Sequence, residues 1–192
     1  MTAVTASVSA IDTERTELLA ELAEARRALL HTVRDLTDAQ LGERPTVSAL
    51  CLGGLVKHVA ATEEGWLRFV VDGPSGLSFA LPDGVTWEEF MNGTAREYPQ
   101  WAIDRQNDFQ MLPDDTLTAI LARYERIAAE TERVIAEVPD LSATHPLPEA
   151  PWSEPGAVRS IRRVLIHVIA ETAQHAGHAD ILRETLDGRT AT

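Results

Sequence analysis

The chain has 192 residues and a formal net charge of −13, with 44% apolar and 24% charged residues, as in an ordinary globular protein able to bury a core. An acidic chain with no cluster of Lys and Arg is a poor match to nucleic acid, whose phosphates must be neutralised, and to anionic membranes. No apolar run approaches the roughly 18 to 20 residues that span a bilayer, residues 1–10 do not read as a signal peptide, and the lone Cys51 excludes an intrachain disulfide, so we expect one domain over 1–192 in a reducing cytoplasm.

In chain order, residues 1–11 read as a frayed tail. A first helix is expected from Thr13 to Leu36, with Leu18, Leu22, Ala25, Leu29, Val33 and Leu36 recurring at spacings of three and four. A second follows Pro45, capped by Thr46 or Ser48, and reaches about Val71 with Leu52, Val56, Val59, Trp66 and Val70 as its stripe. The short loop between them predicts antiparallel packing. Residues 73–112 form a long connection carrying Trp87, Phe90, Tyr98 and Trp101, with a short helix near Trp87 to Met91. A third helix follows Pro113-Asp-Asp and runs to about Val138. Residues 139–158, rich in proline, read as an extended loop. A fourth helix starts near Ser160 and stops at Gly188, a natural C-cap. The fold class is therefore all-α, a four-helix bundle with a long connection between helices two and three.

The fourth stripe contains an anomaly. Ile161, Val164, Leu165 and Val168 lead into Ala179, Leu182 and Leu186, yet Glu171 and His175 fall where apolar residues are expected. Residues four apart share a helix face, and burying a carboxylate with an imidazole is costly unless they are paired or bind a metal. On the second helix His58 flanks the stripe between Leu55 and Thr62. If helices two and four face each other, His58, Glu171 and His175 converge. Two imidazoles and a carboxylate suit Zn²⁺, Ni²⁺, Fe²⁺ or Mn²⁺, and three ligands leave a coordination position open. Taken singly, His58 reads as a buried hydrogen-bonded histidine, and Glu171 as an exposed residue or ion-pair partner.

The pattern Gly54-Leu-Val-Lys-His58-Val-Ala followed by Glu171-Thr-Ala-Gln-His175-Ala-Gly-His178 resembles the DinB-like superfamily of metal-binding four-helix bundles, from about Asp12 to Gly188. Many members have a third histidine where this chain has Glu171. That departure resembles the mycothiol-dependent branch, which includes maleylpyruvate isomerases and mycothiol S-transferases. Sixteen of the 17 basic residues are Arg, with Lys57 the exception, a bias of the high-GC genomes in which mycothiol occurs. The isomerases resemble a bundle followed by a second domain, for which 192 residues leave no room, so the S-transferase is the expected activity.

The resemblance implies a divalent ion, zinc first, held by His58, Glu171 and His175, with mycothiol as co-substrate. The thiol would be held as a metal-bound thiolate and attack a small electrophile. No residue stands out as a general base. His178, Trp66 and Trp87 are candidates for substrate contact or support of the ligands, and Trp101 for a pocket wall. Core packing is the plainer reading of the tryptophans. His167 reads as packing or a partner of Glu171, His31 and His145 as solvated, and Cys51 as a small buried apolar residue. A homodimer is compatible with such a bundle. The alternatives are a hydrolase or isomerase using the same ion, and a non-catalytic stress-response or binding protein whose metal site is closed by a fourth ligand, with His178 as the candidate.

Overall fold

The computed structural model describes the backbone from Thr2 to Thr190 and the side chains from Thr13 to Thr190. The expected tail over 1–11 therefore falls outside the described side chains. Four long helices carry the fold: α1 (Thr2–His31), α3 (Leu52–Asp72), α6 (Leu117–Glu137) and α7 (Ile161–Asp187). The shorter helices are α2 (Asp38–Leu41), α4 (Trp87–Met91) and α5 (Gln100–Asp108). The all-α four-helix bundle expected from the periodicity is what the chain forms, with one small two-stranded ribbon added.

Helix α7 packs on both α1 and α3, and α6 packs on α3. The start of α7 meets the middle of α1 through an ion pair of Arg162 with Glu14. The end of α7 meets the end of α1, where Arg183 donates to the Thr32 and Arg34 carbonyls at 2.8 Å each. These two helices therefore run parallel. Helices α3 and α6 run the other way: Leu52 to Ala60 share a core cluster with Ile120, Tyr124 and the end of α7, and Phe69 and Val70 share one with Val134, Ile135 and the start of α7. Each large apolar side chain in these clusters contributes about 1.5–3 kcal/mol by burial.

Several boundaries differ from the periodic reading. The first helix ends at His31 rather than Leu36, because Asp35 takes a left-handed backbone (φ 60°) that no helix continues through. Val33 and Leu36 stay buried although they are no longer helical, so the apolar spacing outlasted the helix. Thr46 and Ser48 do not cap α3. Their hydroxyls accept from Ser48 N and Leu50 N in local turns, and α3 begins only after Cys51. The link between the first two long helices is thus 32–51 and contains α2, held by a Thr37–Gln40 capping box. With that length, α1 and α3 need not be neighbours, and it is α7 that lies beside both. Residues 139–158 are not simply extended loop: Thr144–Pro146 (β1) pairs antiparallel with Val158–Ser160 (β2). His145 is not solvated either. It is half-buried, edge-on to Phe69, with Nε2 at 3.2 Å from the Val70 carbonyl.

Helix α4 occupies Trp87–Met91, where a short helix was expected, under a Thr86–Glu89 capping box. Helix α5 had no sequence signal strong enough to separate it from the long connection. Helix α7 ends at Gly188 in the left-handed region (φ 77°), as a glycine C-cap does.

Candidate metal centre

His58 lies in the second turn of α3 and is 2% exposed. Two local features hold it. First, a Cβ on Gly54 would lie 2.2 Å from the Phe109 carbonyl oxygen. Only glycine there lets the 109–110 backbone lie against α3, one turn before His58. Phe109 then stacks on the His58 ring, centroids 3.9 Å apart and 23° between planes. Second, Lys57 reaches the other way, donating to the Asn107 and Gln110 carbonyls and pairing with Asp115. It ties the segment after α5 down onto α3.

Helix α7 supplies the partners. Its position beside α3 brings His175 edge-on to His58, centroids 4.9 Å apart, and Glu171 Oε2 lies 3.7 Å from His175 Nε2. One ligating atom from each of His58, Glu171 and His175 falls within 4.8 Å of the others. His175 Nδ1 is buried and lacks a hydrogen-bond partner. A buried ring nitrogen in that state is unusual unless something else uses its lone pair. Burial, then the charge of Arg105 and the neighbouring His175, pulls the His58 pKa down from 6.5 to about 3. Burial also lowers His175, against an opposing pull from Glu171. Both rings are neutral at pH 7, the form in which an imidazole binds metal. Two such nitrogens and one carboxylate fit a divalent ion of the zinc or nickel kind.

A cleft of about 1000 Å³ opens beside the cluster and is lined in part by His58 and Glu171. Its walls include Trp66, Phe79, Trp101 and Trp152. The Trp101 indole is fixed by a 2.9 Å bond to the Ala80 carbonyl. Trp87 is not in this wall. It lies edge-on to Trp152 at 5.2 Å, contacts Trp101, and lines an adjoining shallow groove. His167 lines the cleft one turn before Glu171 and packs edge-on to Trp66. Burial lowers its pKa, with Arg159 adding to the effect. His178 is exposed, its ring 5.5 Å from that of His175 and outside the close cluster. Cys51 is buried and free.

Sequence reasoning passed over Phe109, Lys57, Trp152 and Arg159. Lys57 carried a signal, as the single lysine of an arginine-rich chain standing next to His58. Trp152 carried a weaker one, as a tryptophan in a proline-rich loop. Phe109 and Arg159 had none, since each depends on a tertiary neighbour.

The Mycothiol-S-transferase family matches residues 17–188. The chain belongs to that family. The match runs from the described part of α1 to the C-cap of α7, and it supports a mycothiol-related S-transferase role with a thiol as substrate. Among solved structures, a conserved protein from Enterococcus faecalis shares the fold at a TM-score of 0.60 and 13% identity, covering 91% of this chain and 97% of that one. No curated protein matches the sequence. Among the described residues no helix is long and apolar enough to cross a membrane.

Proposed function

We propose that this protein is a metal-dependent mycothiol S-transferase, with His58, Glu171 and His175 holding one divalent ion at the end of the aromatic cleft. The observation that carries the reading is the convergence of three ligating atoms within 4.8 Å, two of them on imidazoles that burial keeps neutral. When bound, the ion supplies the positive charge that keeps a thiol sulfur deprotonated at neutral pH.

The chain's own groups do the rest. Glu171 contributes the one negative charge of the set. Phe109 on the His58 ring and the Lys57 anchor fix the orientation of the α3 ligand. His178 lies beside His175, ring centroids 5.5 Å apart. Trp66, Trp101 and Trp152 exclude water from the side where a small electrophile would lie, and Trp87 supports the last two from behind. A thiol already deprotonated needs no general base.

Cobalt-substituted protein tests the reading. Added mycothiol should produce a sulfur-to-metal charge-transfer band, and His175→Ala should lose both the band and the metal by elemental analysis. Cobalt protein that shows no band with any cellular thiol, yet hydrolyses an ester or amide, would overturn the transferase in favour of a hydrolase using the same ion.

A further inference from the structure

Like Arg105, which lies over the Phe109 ring, Arg159 lines the cleft without an ion pair among the described residues. It belongs to β2, just before α7, and its guanidinium lies 4.6 Å over the Trp66 ring. Among the described residues it makes no ion pair and no side-chain hydrogen bond. By contrast, Arg68 and Arg123 line the same cleft and both are engaged by Glu64. Asp108 and Glu154 also line it, and neither reaches Arg159 within ion-pair distance. Burial and the like charge of Arg163 both act against its cationic form. A half-buried guanidinium, stacked on an indole and lacking a carboxylate in an acidic protein, has its planar donor fork free for an anion. The walls beside it are Trp66, Trp101 and Trp152, and Trp152 is 52% exposed although it is a large apolar side chain.

We propose that the Trp66–Arg159 end of the cleft binds a carboxylate carried on a planar aromatic substrate. Resting on the transferase reading, this substrate is the electrophile. Trp66 follows His58 by eight residues on α3, which is about 12 Å at 1.5 Å per residue. A two-ring aromatic carboxylate spans most of that distance, leaving its far end near the thiol. A carboxylate is matched by a single guanidinium fork, and the aromatic body by the tryptophan walls.

Calorimetric titration of the zinc-loaded protein with 2-naphthoate and with 2-naphthamide tests the proposal without using catalysis. The naphthoate should bind about tenfold more tightly, as expected for one charge-assisted contact. Arg159→Gln should bring the two affinities together while leaving the melting temperature unchanged, and Arg159→Lys should restore only part of the preference. His58→Ala should lose thiol binding and keep the naphthoate preference. Equal affinities in the unaltered protein would overturn the proposal. So would a preference that survives Arg159→Gln and disappears in His58→Ala, which would put the carboxylate on the metal. If the thiol signal is absent but the naphthoate preference tracks Arg159, the transferase reading fails and the carboxylate site stands.

Discussion

Two groups of buried polar side chains lie along this bundle. In one, Arg26 of α1 reaches diagonally to Glu63 of α3, and the Thr131 hydroxyl of α6 donates to the same carboxylate at 2.7 Å. Both Glu63 oxygens have partners and the charges cancel. The Tyr124 hydroxyl nearby lacks a partner, so a neutral group is the loose end of that cluster. In the other, His58 and His175 present neutral rings to Glu171, and His175 Nδ1 has nothing to bond. The charges of the first cluster are matched within the protein. The second has an excess of lone pairs over donors. Buried polar groups are tolerated when satisfied and are costly otherwise. The first therefore has its charges matched by the fold, and under the proposed function a cation completes the second. Their positions agree: Glu63 faces the interior between helices, whereas His58 and Glu171 border the cleft.

That difference can be broken experimentally. The largest effect should come from the closed cluster. Glu63→Ala leaves the buried Arg26 with only the exposed Glu132, 3.6 Å away, and should lower stability by about 3–5 kcal/mol, read from urea denaturation. The double variant Arg26→Met, Glu63→Leu should recover most of that loss. Destabilisation of less than about 1 kcal/mol by the single variant would mean the pair is solvated and the contrast is false.

Metal comes next. Zinc at a hundredfold excess over its Kd should stabilise the protein by about 2.7 kcal/mol, and chelation should reverse the shift in melting temperature. His175→Ala should abolish the response. Glu63→Ala should lower the baseline and keep the response at full size, which separates the two clusters. A response lost in both variants would couple them and break the comparison.

The third effect is pH dependence in the metal-free protein. The unfolded chain protonates His58 near its ordinary value of 6.5, whereas the folded chain does so only near 3. Between those values the unfolded state holds more protons. Stability should therefore be complete above pH 6.5 and fall as the pH drops towards 3, by up to about 1.4 kcal/mol per pH unit from His58. His175, also lowered, adds to the same slope. His58→Gln should flatten the profile, and an unchanged slope in that variant would assign the acid sensitivity to other groups.

The smallest effect is expected at His178. Its exposed ring touches the cluster only through His175. His178→Ala should weaken zinc binding by no more than about tenfold in competition with a chelating dye, at the low end for a supporting residue. Loss of binding comparable to that of His175→Ala would make it a fourth ligand and the site a closed one.

Legibility in the sequence followed the range of each interaction. The cores of α3, α6 and α7 were readable because helical periodicity is set by residues three and four apart. Gly188 and the Trp87–Met91 helix were readable because caps and turns are local too. Glu171 and His175 declared themselves as polar breaks in an apolar stripe, within one helix. The true end of α1 was hidden because Val33 and Leu36 continue the spacing while Asp35 turns the backbone away, and burial rather than helicity keeps those side chains apolar.

Tertiary packing decided the remainder. Which long helices are neighbours depends on a 20-residue link and on Arg183 holding the end of α1, and neither leaves a periodic trace. The approach of α7 to α3 is what places His58 within reach of His175. The stacking of Phe109 on His58, and of Trp66 under Arg159, joins residues 51 and 93 positions apart. A local pattern records which side chains a helix must bury. It carries no record of what those side chains will meet, because that contact is made only when distant segments pack.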